Sequence, residues 1–207
     1  MAWSAENATK AYLTTLTMGN KAKVPDIAEC VSAMAAGNSA KLMVEICSGA
    51  AGPMTLALVA AARQTGGRVA CVLRAREDLR ASREALGGAE ADNVEFVFGD
   101  AAWLLSDDYA RADFVLVDCK LEGNERVFGA AQKAIVVGYN AFCDASWLTS
   151  GPRSDLLPTG DGLRACRVVR TAAVERRRRR WVVKVDECTG EEHVFRAKSS
   201  QHNGIIA

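Results

Sequence analysis

Short apolar runs recur along the chain and alternate with longer segments of helical character. Five runs occupy residues 42–47, 69–73, 94–98, 114–118 and 134–138. Most are rich in β-branched residues and almost continuously apolar, which is typical of strands buried on both faces of a sheet. Residues 53–64, 76–86 and 124–133 separate them and are predicted helices. This alternation predicts an α/β fold with a doubly wound, mostly parallel, Rossmann-like sheet.

Two helices are expected before the first strand. Ser4 is a suitable cap for the first, and its predicted apolar stripe consists of Ala5, Ala8, Tyr12 and Leu16. The second begins at Pro25-Asp26 and stops at Gly37-Asn38, and its predicted apolar residues are Ile27, Val31, Met34 and Ala35.

The carboxyl-terminal part has a different pattern. Residues 156–162 are a predicted turn and residues 163–170 a predicted strand. Five consecutive arginines follow at 176–180, and residues 181–185 and 193–195 then indicate a β-hairpin. We expect one structural domain with three parts: helices in 1–38, a core in 39–172, and a basic loop, hairpin and loose tail in 173–207.

Composition narrows the class of protein. The chain has 207 residues, of which 49% are hydrophobic, with 26 Lys and Arg against 25 Asp and Glu. This balance excludes wholesale disorder and provides no global basic field, so a nucleic-acid partner is not expected. No apolar run reaches the about 18 residues that a membrane helix needs, and no secretory signal pattern opens the sequence.

Seven cysteines are scattered without a Cys-x-x-Cys pair, which favours buried thiols in a reducing compartment over a disulfide framework or a zinc site. We therefore expect a cytoplasmic protein. The arginine run leaves a nuclear-import signal or a phosphate-bearing partner open, against the simpler interpretation of a solvated loop.

Candidate chemistry lies just past the strands, because ligands of open parallel sheets bind at the carboxyl ends of the strands. The residues concerned are Glu45, Cys47, Ser48, Gly49 and Gly52 after the first strand, Arg74 after the second, Asp100 and Ala101 after the third, and Asp118 and Lys120 after the fourth. We expect the carboxylates of Glu45, Asp100 and Asp118 to converge on one crevice. The alternatives are a tightly packed turn after the first strand, a helix cap at Asp100 and a solvated lysine at Lys120.

The joint pattern resembles class I S-adenosylmethionine (SAM)-dependent methyltransferases, most closely the caffeoyl-CoA O-methyltransferase type, over roughly residues 25–170. The matching motifs are Glu45-Ile46-Cys47, Gly99-Asp100-Ala101, Val117-Asp118, Gly138-Tyr139-Asn140 and Pro158-Thr159-Gly160-Asp161-Gly162-Leu163. The whole chain is also similar to a plant family of methyltransferase-like proteins of unknown function, whose opening motif is carried here by Trp3 to Tyr12.

The resemblance implies SAM as cofactor, held by Glu45, Cys47, Ser48, Gly49, Gly52, Arg74, Asp100, Ala101 and Asp118. It also implies a catalytic base, for which the candidates are Asp118 and Lys120. The sequence departs from the family in three places. Cys47 and Ala51 replace glycines, Leu73 and Arg74 stand where an acid holds the ribose, and Asn140 and Ala141 replace the metal-binding pair. Because a hard cation needs several oxygen ligands, no catalytic metal is expected.

Two hypotheses of function follow. The first is a metal-independent methyltransferase for a small-molecule acceptor, which the three acids favour. The second is a catalytically inactive relative that binds a ligand or a protein, which the missing ribose acid and metal pair favour. Family members are often dimeric, and the sequence leaves a homodimer open under either hypothesis.

Overall fold

The structure of the chain, a computed structural model, describes residues 3–18, 27–131, 134–143, 155–167, 180–185 and 192–197. The chain divides into two compact units, Met1–Arg170 and Thr171–Ala207. The first unit contains the sheet and its helices, and the second contains a β-hairpin.

Helices and strands alternate through the first unit. The helices are α1 (Ala5–Met18), α2 (Ile27–Gly37), α3 (Pro53–Thr65), α4 (Asp78–Leu86), α5 (Gly88–Ala91), α6 (Ala101–Ser106) and α7 (Asn124–Ala130). The strands are β1 (Leu42–Ile46), β2 (Arg68–Leu73), β3 (Val94–Phe98), β4 (Phe114–Asp118), β5 (Ile135–Tyr139), β6 (Asp155–Leu157) and β7 (Leu163–Arg167). A 3-10 turn, Ala141–Cys143, follows β5.

The seven strands form one sheet in the order β3-β2-β1-β4-β5-β7-β6. The first five are parallel, whereas β7 runs antiparallel to β5 and β6 runs antiparallel to β7. The predicted α/β fold with a doubly wound, mostly parallel sheet is therefore confirmed. The strand order reverses beside β1, at the position where α/β sheets place their ligands.

Both faces of the sheet are covered, and alternate residues of each strand enter different cores. In β1, Met43 joins the core formed with α1, α2 and α3, whereas Val44 and Ile46 join the core formed with α6 and α7. The same alternation places Phe114 and Leu116 of β4 in the first core. Burial on both faces explains why the strands are almost continuously apolar.

The helix ends follow local signals in the sequence. Pro53 occupies the first turn of α3, where its missing N–H leaves no hydrogen bond unmade. Gly66 closes the same helix in the left-handed conformation, with φ of 64°, and its N–H donates to the Ala62 carbonyl. In α1, Ser4 accepts a hydrogen bond from the Asn7 N–H at 3.3 Å, as expected for a cap.

The predicted stripe of α1 is wrong in part. The buried residues of this helix are Ala8, Ala11 and Thr15, whereas Ala5 is exposed and Tyr12 and Leu16 are half-buried. The helix packs on both α2 and α3, and small side chains permit this close approach. Size rather than hydrophobicity therefore selects the inward face.

The region between β5 and β7 also differs from expectation. Residues 155–157 form the edge strand β6, where the sequence predicted that a turn begins at 156. The turn proper is shorter and includes a hydrogen bond of 3.0 Å from the Gly162 N–H to the Thr159 carbonyl. Pairing with β7 outweighs the weak strand signal of so short a segment.

The second unit contains β8 (Arg180–Val185) and β9 (Glu192–Ala197), paired antiparallel as the predicted hairpin. Arg180 begins β8, while the rest of the arginine run, 176–179, and residues 186–191 lie outside the described residues. None of the helices in the described ranges combines the length and the apolar character that crossing a membrane requires.

Candidate functional site

A cleft of about 220 Å³ opens at the carboxyl edge of the sheet, next to the reversal of strand order. Its walls come from the ends of β1, β2 and β3, the start of α6, and the segment that leads into α7. The lining residues include Ile46, Cys47, Leu73, Arg74, Gly99, Asp100, Ala101, Ala102, Glu122 and Arg126.

The wall that follows β3 is shaped by Gly99 and Asp100. Gly99 has φ of 153°, and a Cβ there would lie 3.3 Å from Leu104 Cδ1, so this position favours glycine. Asp100 caps α6, because its Oδ1 accepts a hydrogen bond of 2.8 Å from the Trp103 N–H. Its other oxygen lies 3.8 Å from an Arg126 nitrogen. Asp100 therefore has a structural role and still leaves one oxygen facing the cleft residue Arg126.

Asp118 ends β4 and is a buried acceptor of three hydrogen bonds. Oδ1 accepts from the Asn140 side-chain nitrogen at 2.7 Å and from the Lys120 N–H at 3.0 Å. Oδ2 accepts a short hydrogen bond from Ser48 Oγ. The carboxylate therefore links the loops that follow β1, β4 and β5.

Asn140 reaches Asp118 because of its backbone conformation. It is one of two non-glycine residues with positive φ in the described ranges, at 56°. Asparagine tolerates this left-handed conformation better than most residues. The turn directs its side chain back across the end of β4.

Glu45 lies deep in the sheet and is 1% exposed. Its oxygens accept hydrogen bonds from Thr55 Oγ1 of α3 at 2.5 Å and from the Tyr139 hydroxyl at 3.3 Å. Removal from water raises the pKa of this carboxyl to about 7, and the negative charge of Asp118 adds to that rise. The same environment raises the pKa of Tyr139, chiefly through burial.

Two thiols lie beside Glu45. Cys47 Sγ and Cys71 Sγ are 3.3 Å apart, and both residues are buried. The hydrogen bond with Cys71, followed by burial, raises the pKa of the Cys47 thiol above its usual range. Together with the Glu45 carboxylate, their ligand atoms lie within 4.8 Å of one another. Within the described residues, the Cys47 thiol is hydrogen-bonded both to the Cys71 thiol and to the Glu45 carboxyl group.

Two of the three acidic residues lie within strands and face the same core, and the third lies on a turn after its strand. Glu45 and Asp118 share the parity of Met43 and Leu116, so they face the core beside α1, α2 and α3. Asp100 follows β3 on an exposed turn and lines the cleft. Glu45 and Asp118 thus lie near each other, and Asp100 lies apart in the cleft.

The structure separates the predicted site residues into two groups. Four of them line the cleft, namely Cys47, Arg74, Asp100 and Ala101. The others lie outside its lining, namely Glu45, Ser48, Gly49, Gly52, Asp118 and Lys120. Lys120 is exposed and contributes its backbone N–H to Asp118.

Sequence reasoning missed one wall of the cleft and two supports of Glu45. The missed wall comprises Leu121, Glu122, Gly123, Arg126 and Val127. Its signal was the position of Glu122-Gly123 in the short segment between β4 and the next helix. Tyr139 lies in the quoted Gly138-Tyr139-Asn140 motif, whereas Thr55 had no sequence signal, and each pairs with Glu45 only through the fold.

A model of the family described as a protein of unknown function (DUF1442) matches residues 1–197. No curated protein sequence matches the chain.

Several solved structures share the fold. A methyltransferase of Podospora anserina bound to S-adenosylhomocysteine (SAH) matches with a TM-score of 0.54 and 19% identity, over 81% of this chain and 89% of that one. The O-methyltransferase TomG of Streptomyces achromogenes, involved in tomaymycin synthesis and bound to SAM, has a TM-score of 0.50 and 19% identity, over 81% and 92%.

An RNA methyltransferase of Salinibacter ruber bound to SAH also has a TM-score of 0.50, with 19% identity over 76% of this chain and 98% of that one. At these identities the likeness shows the fold alone. One of these proteins is described as an RNA methyltransferase and another as an O-methyltransferase involved in tomaymycin synthesis, so the fold does not determine the acceptor.

Proposed function

This chain belongs to the DUF1442 family, whose description includes no activity, and from the geometry of its cleft we propose that it is a SAM-dependent methyltransferase that works without a metal on a small-molecule acceptor. The observation that carries the proposal is the cleft at the carboxyl edge of β1, β2 and β3, beside the reversal of strand order. Solved methyltransferases with SAM or SAH bound have the same fold, which supports this choice of cofactor.

The dimensions and walls of the cleft suit the adenosine end of SAM. Pockets that enclose a drug-sized ligand measure about 300–1,000 Å³, and this cleft is smaller, at about 220 Å³. A Cβ placed on Gly49 or Gly52 would meet nothing within 4 Å, so the loop after β1 borders open space. We infer that adenosine occupies the cleft and that the methionine end extends over this loop. SAM, when bound, supplies an activated methyl group on its sulfonium.

The residues near Asp118 do not fit a divalent cation. Both oxygens of Asp118 already accept hydrogen bonds, and Asn140 presents an amide nitrogen, a donor, toward one of them. A hard cation prefers several oxygen ligands with negative charge. We therefore propose no metal-assisted step. The hydrogen bonds among Ser48, Asp118 and Asn140 instead hold the loops after β1, β4 and β5 in position.

A methyl acceptor must lose a proton, and two residues at the end of β4 are the candidate bases. Asp118 is buried and holds three hydrogen bonds, which suits it to positioning. Lys120 is exposed, but a lysine ammonium offers three donors and no electron pair for a proton. Of the two, we therefore propose Asp118 as the base, in addition to its ordering of the loops.

The acceptor class, the oligomeric state and the cellular location of the protein are also proposals. The near-zero net charge favours a small-molecule acceptor over nucleic acid. From the sequence resemblance we propose membership of a plant methyltransferase-like group and a homodimer. We propose a cytoplasmic location from the cysteine pattern, with the arginine run as the basis for a nuclear one. Size-exclusion chromatography with light scattering tests the dimer directly.

A second candidate is an inactive relative that retains the fold and binds a ligand or a protein. The saturated hydrogen bonding of Asp118 favours it, because a carboxylate engaged three times accepts a proton less readily. The two candidates differ in turnover. Both permit an adenosine ligand in the cleft, but only the enzyme releases SAH when an acceptor is present.

Titration calorimetry with SAM and with SAH tests the cofactor. We expect binding by the native chain and loss of binding in Ala102→Phe, which fills the cleft. Ala81→Phe is the matched control, because Ala81 is exposed on α4 and lies outside the cleft lining. No detectable heat with either ligand at millimolar concentration would overturn the proposal. SAH release with a panel of hydroxyl- and amine-bearing small molecules then separates the enzyme from the inactive relative.

A further inference from the structure

Arg74 is the first exposed residue after β2, and it lines the cleft. It follows Leu73, which is fully buried at the end of the strand. Within the described part of the chain, Arg74 belongs to none of the ion pairs, which join other arginines and lysines to carboxylates. A cationic side chain thus stands at the cleft wall without a neutralising carboxylate.

Two further arginines lie near the same edge. Arg126 of α7 lines the cleft, and its nitrogen is 3.8 Å from Asp100 Oδ2, which is near the limit of an ion pair. Arg76 lies with its guanidinium carbon 5.2 Å from the centre of the Phe98 ring, at the end of β3. This cation–π contact holds a positive charge close to the ends of β2 and β3.

The residue after the second strand decides which ribose an α/β nucleotide site accepts. An acidic side chain there accepts hydrogen bonds from the ribose hydroxyls, whereas an arginine pairs with a phosphate on the ribose. Guanidinium groups bind phosphate through two parallel charge-assisted hydrogen bonds. This chain has arginine where an acid would select an unmodified ribose.

The carboxylates of the cleft do not cancel this preference. Asp100 caps α6 and faces Arg126, so its charge is already engaged. Glu122 lines the cleft from the segment between β4 and α7. Neither forms an ion pair with Arg74.

We propose that the cleft also binds adenosine nucleotides that carry a phosphate on the 2′ or 3′ oxygen of the ribose, with Arg74 as the residue that recognises that phosphate. The inference rests on the proposed function only in taking the cleft as an adenosine site. Such nucleotides compete with SAM for the cleft. They are bound more tightly than nucleotides that carry only the 5′ phosphate.

Calorimetry on the full chain compares adenosine 2′,5′-bisphosphate, adenosine 3′,5′-bisphosphate and adenosine 5′-monophosphate. We expect at least one bisphosphate to bind about tenfold more tightly than the monophosphate, with the advantage shrinking as salt rises. The two bisphosphates identify which ribose hydroxyl carries the recognised phosphate. In Arg74→Gln the bisphosphate and the monophosphate should bind alike, and Arg74→Lys should restore part of the difference.

Arg80→Gln is the control variant, because Arg80 is an exposed α4 residue already paired with Glu84. It should retain the native selectivity. Equal affinity for all three nucleotides in the native chain, or selectivity that survives Arg74→Gln, would overturn the inference. Titration with SAH keeps the two proposals apart. Binding of SAH without bisphosphate selectivity refutes only this inference, and bisphosphate binding without SAH binding refutes only the choice of SAM.

Discussion

The Asn140 side chain donates a hydrogen bond of 2.7 Å to Asp118 Oδ1 and so joins the carboxyl ends of two neighbouring parallel strands, β4 and β5. The position after β5 therefore provides a donor where a second acid would be needed to share a cation with Asp118. The Asp118 carboxylate accepts three hydrogen bonds, and these stabilise its negative charge.

Asn140→Asp should introduce a divalent-cation response that the native chain lacks. The new carboxylate faces Asp118, so the variant loses a hydrogen bond, gains a like-charge repulsion, and is less stable in EDTA by about 1–3 kcal/mol. Millimolar Mg²⁺ or Ca²⁺ should raise its melting temperature by binding between the two acids. Asn140→Gly, which keeps the positive φ without the second acid, is the control. An equal cation response in the native chain would contradict this expectation.

Two substitutions separate the capping role of Asp100 from its role in the cleft. Asp100→Asn keeps a capping oxygen for the Trp103 N–H, so stability should be almost unchanged. Asp100→Ala removes the cap and should lower the free energy of unfolding by about 1 kcal/mol. Both remove the charge from the cleft, so both should weaken SAH binding, by about tenfold if the carboxylate bonds the ligand. Urea unfolding and calorimetry measure the two effects, and native affinity in Asp100→Asn would assign this residue to capping alone.

Glu45 should make the stability of the protein fall as pH rises from about 4.5 to about 7. Its pKa in the fold is about 7 against 4.5 when exposed, so the folded state holds a proton that the unfolded state has released. The stabilisation is complete below pH 4.5 and lost by about pH 7, and the difference of 2.5 pKa units corresponds to about 3 kcal/mol.

Glu45→Gln removes this titration while an oxygen remains for Thr55. Urea unfolding at pH 5 and pH 8 should show a smaller loss of stability with pH in the variant than in the native chain. Parallel pH profiles of the two proteins would show that Glu45 has an ordinary pKa in the fold.

Two glycines of neighbouring elements should respond to alanine in opposite directions. A Cβ on Gly138 of β5 would lie 2.6 Å from Cys119 Sγ and 3.0 Å from Phe128 Cζ, so Gly138→Ala should destabilise the fold by about 1–3 kcal/mol. A Cβ on Gly129, exposed in α7, would meet nothing within 4 Å. Gly129→Ala should therefore stabilise by about 0.5–1 kcal/mol. Thermal unfolding compares them, and equal shifts in one direction would contradict the packing around β5.

Much of the fold could be predicted because burial on both faces leaves a continuous apolar signal. β3 and β4 have the predicted limits of 94–98 and 114–118. β1 and β2 differ from prediction by one residue at one end, and β5 by one residue at each end. The inward face of α1 was less predictable, since Ala8 and Ala11 face inward because of their size. The edge strand β6 exists through its pairing with β7, a contact that three residues cannot signal alone.

The candidate site was predictable in position but not in orientation. Residues at the carboxyl ends of parallel strands must share one edge, so the sequence alone located Arg74, Asp100 and Asp118 there. Only the tertiary structure decided that Asp100 lines the cleft, while Thr55 and Tyr139 enclose Glu45, and Ser48 and Asn140 hold Asp118. The physical reason is that a strand's pattern specifies which residues alternate, whereas the helices packed on each face determine whether a carboxylate meets a hydroxyl donor or open solvent.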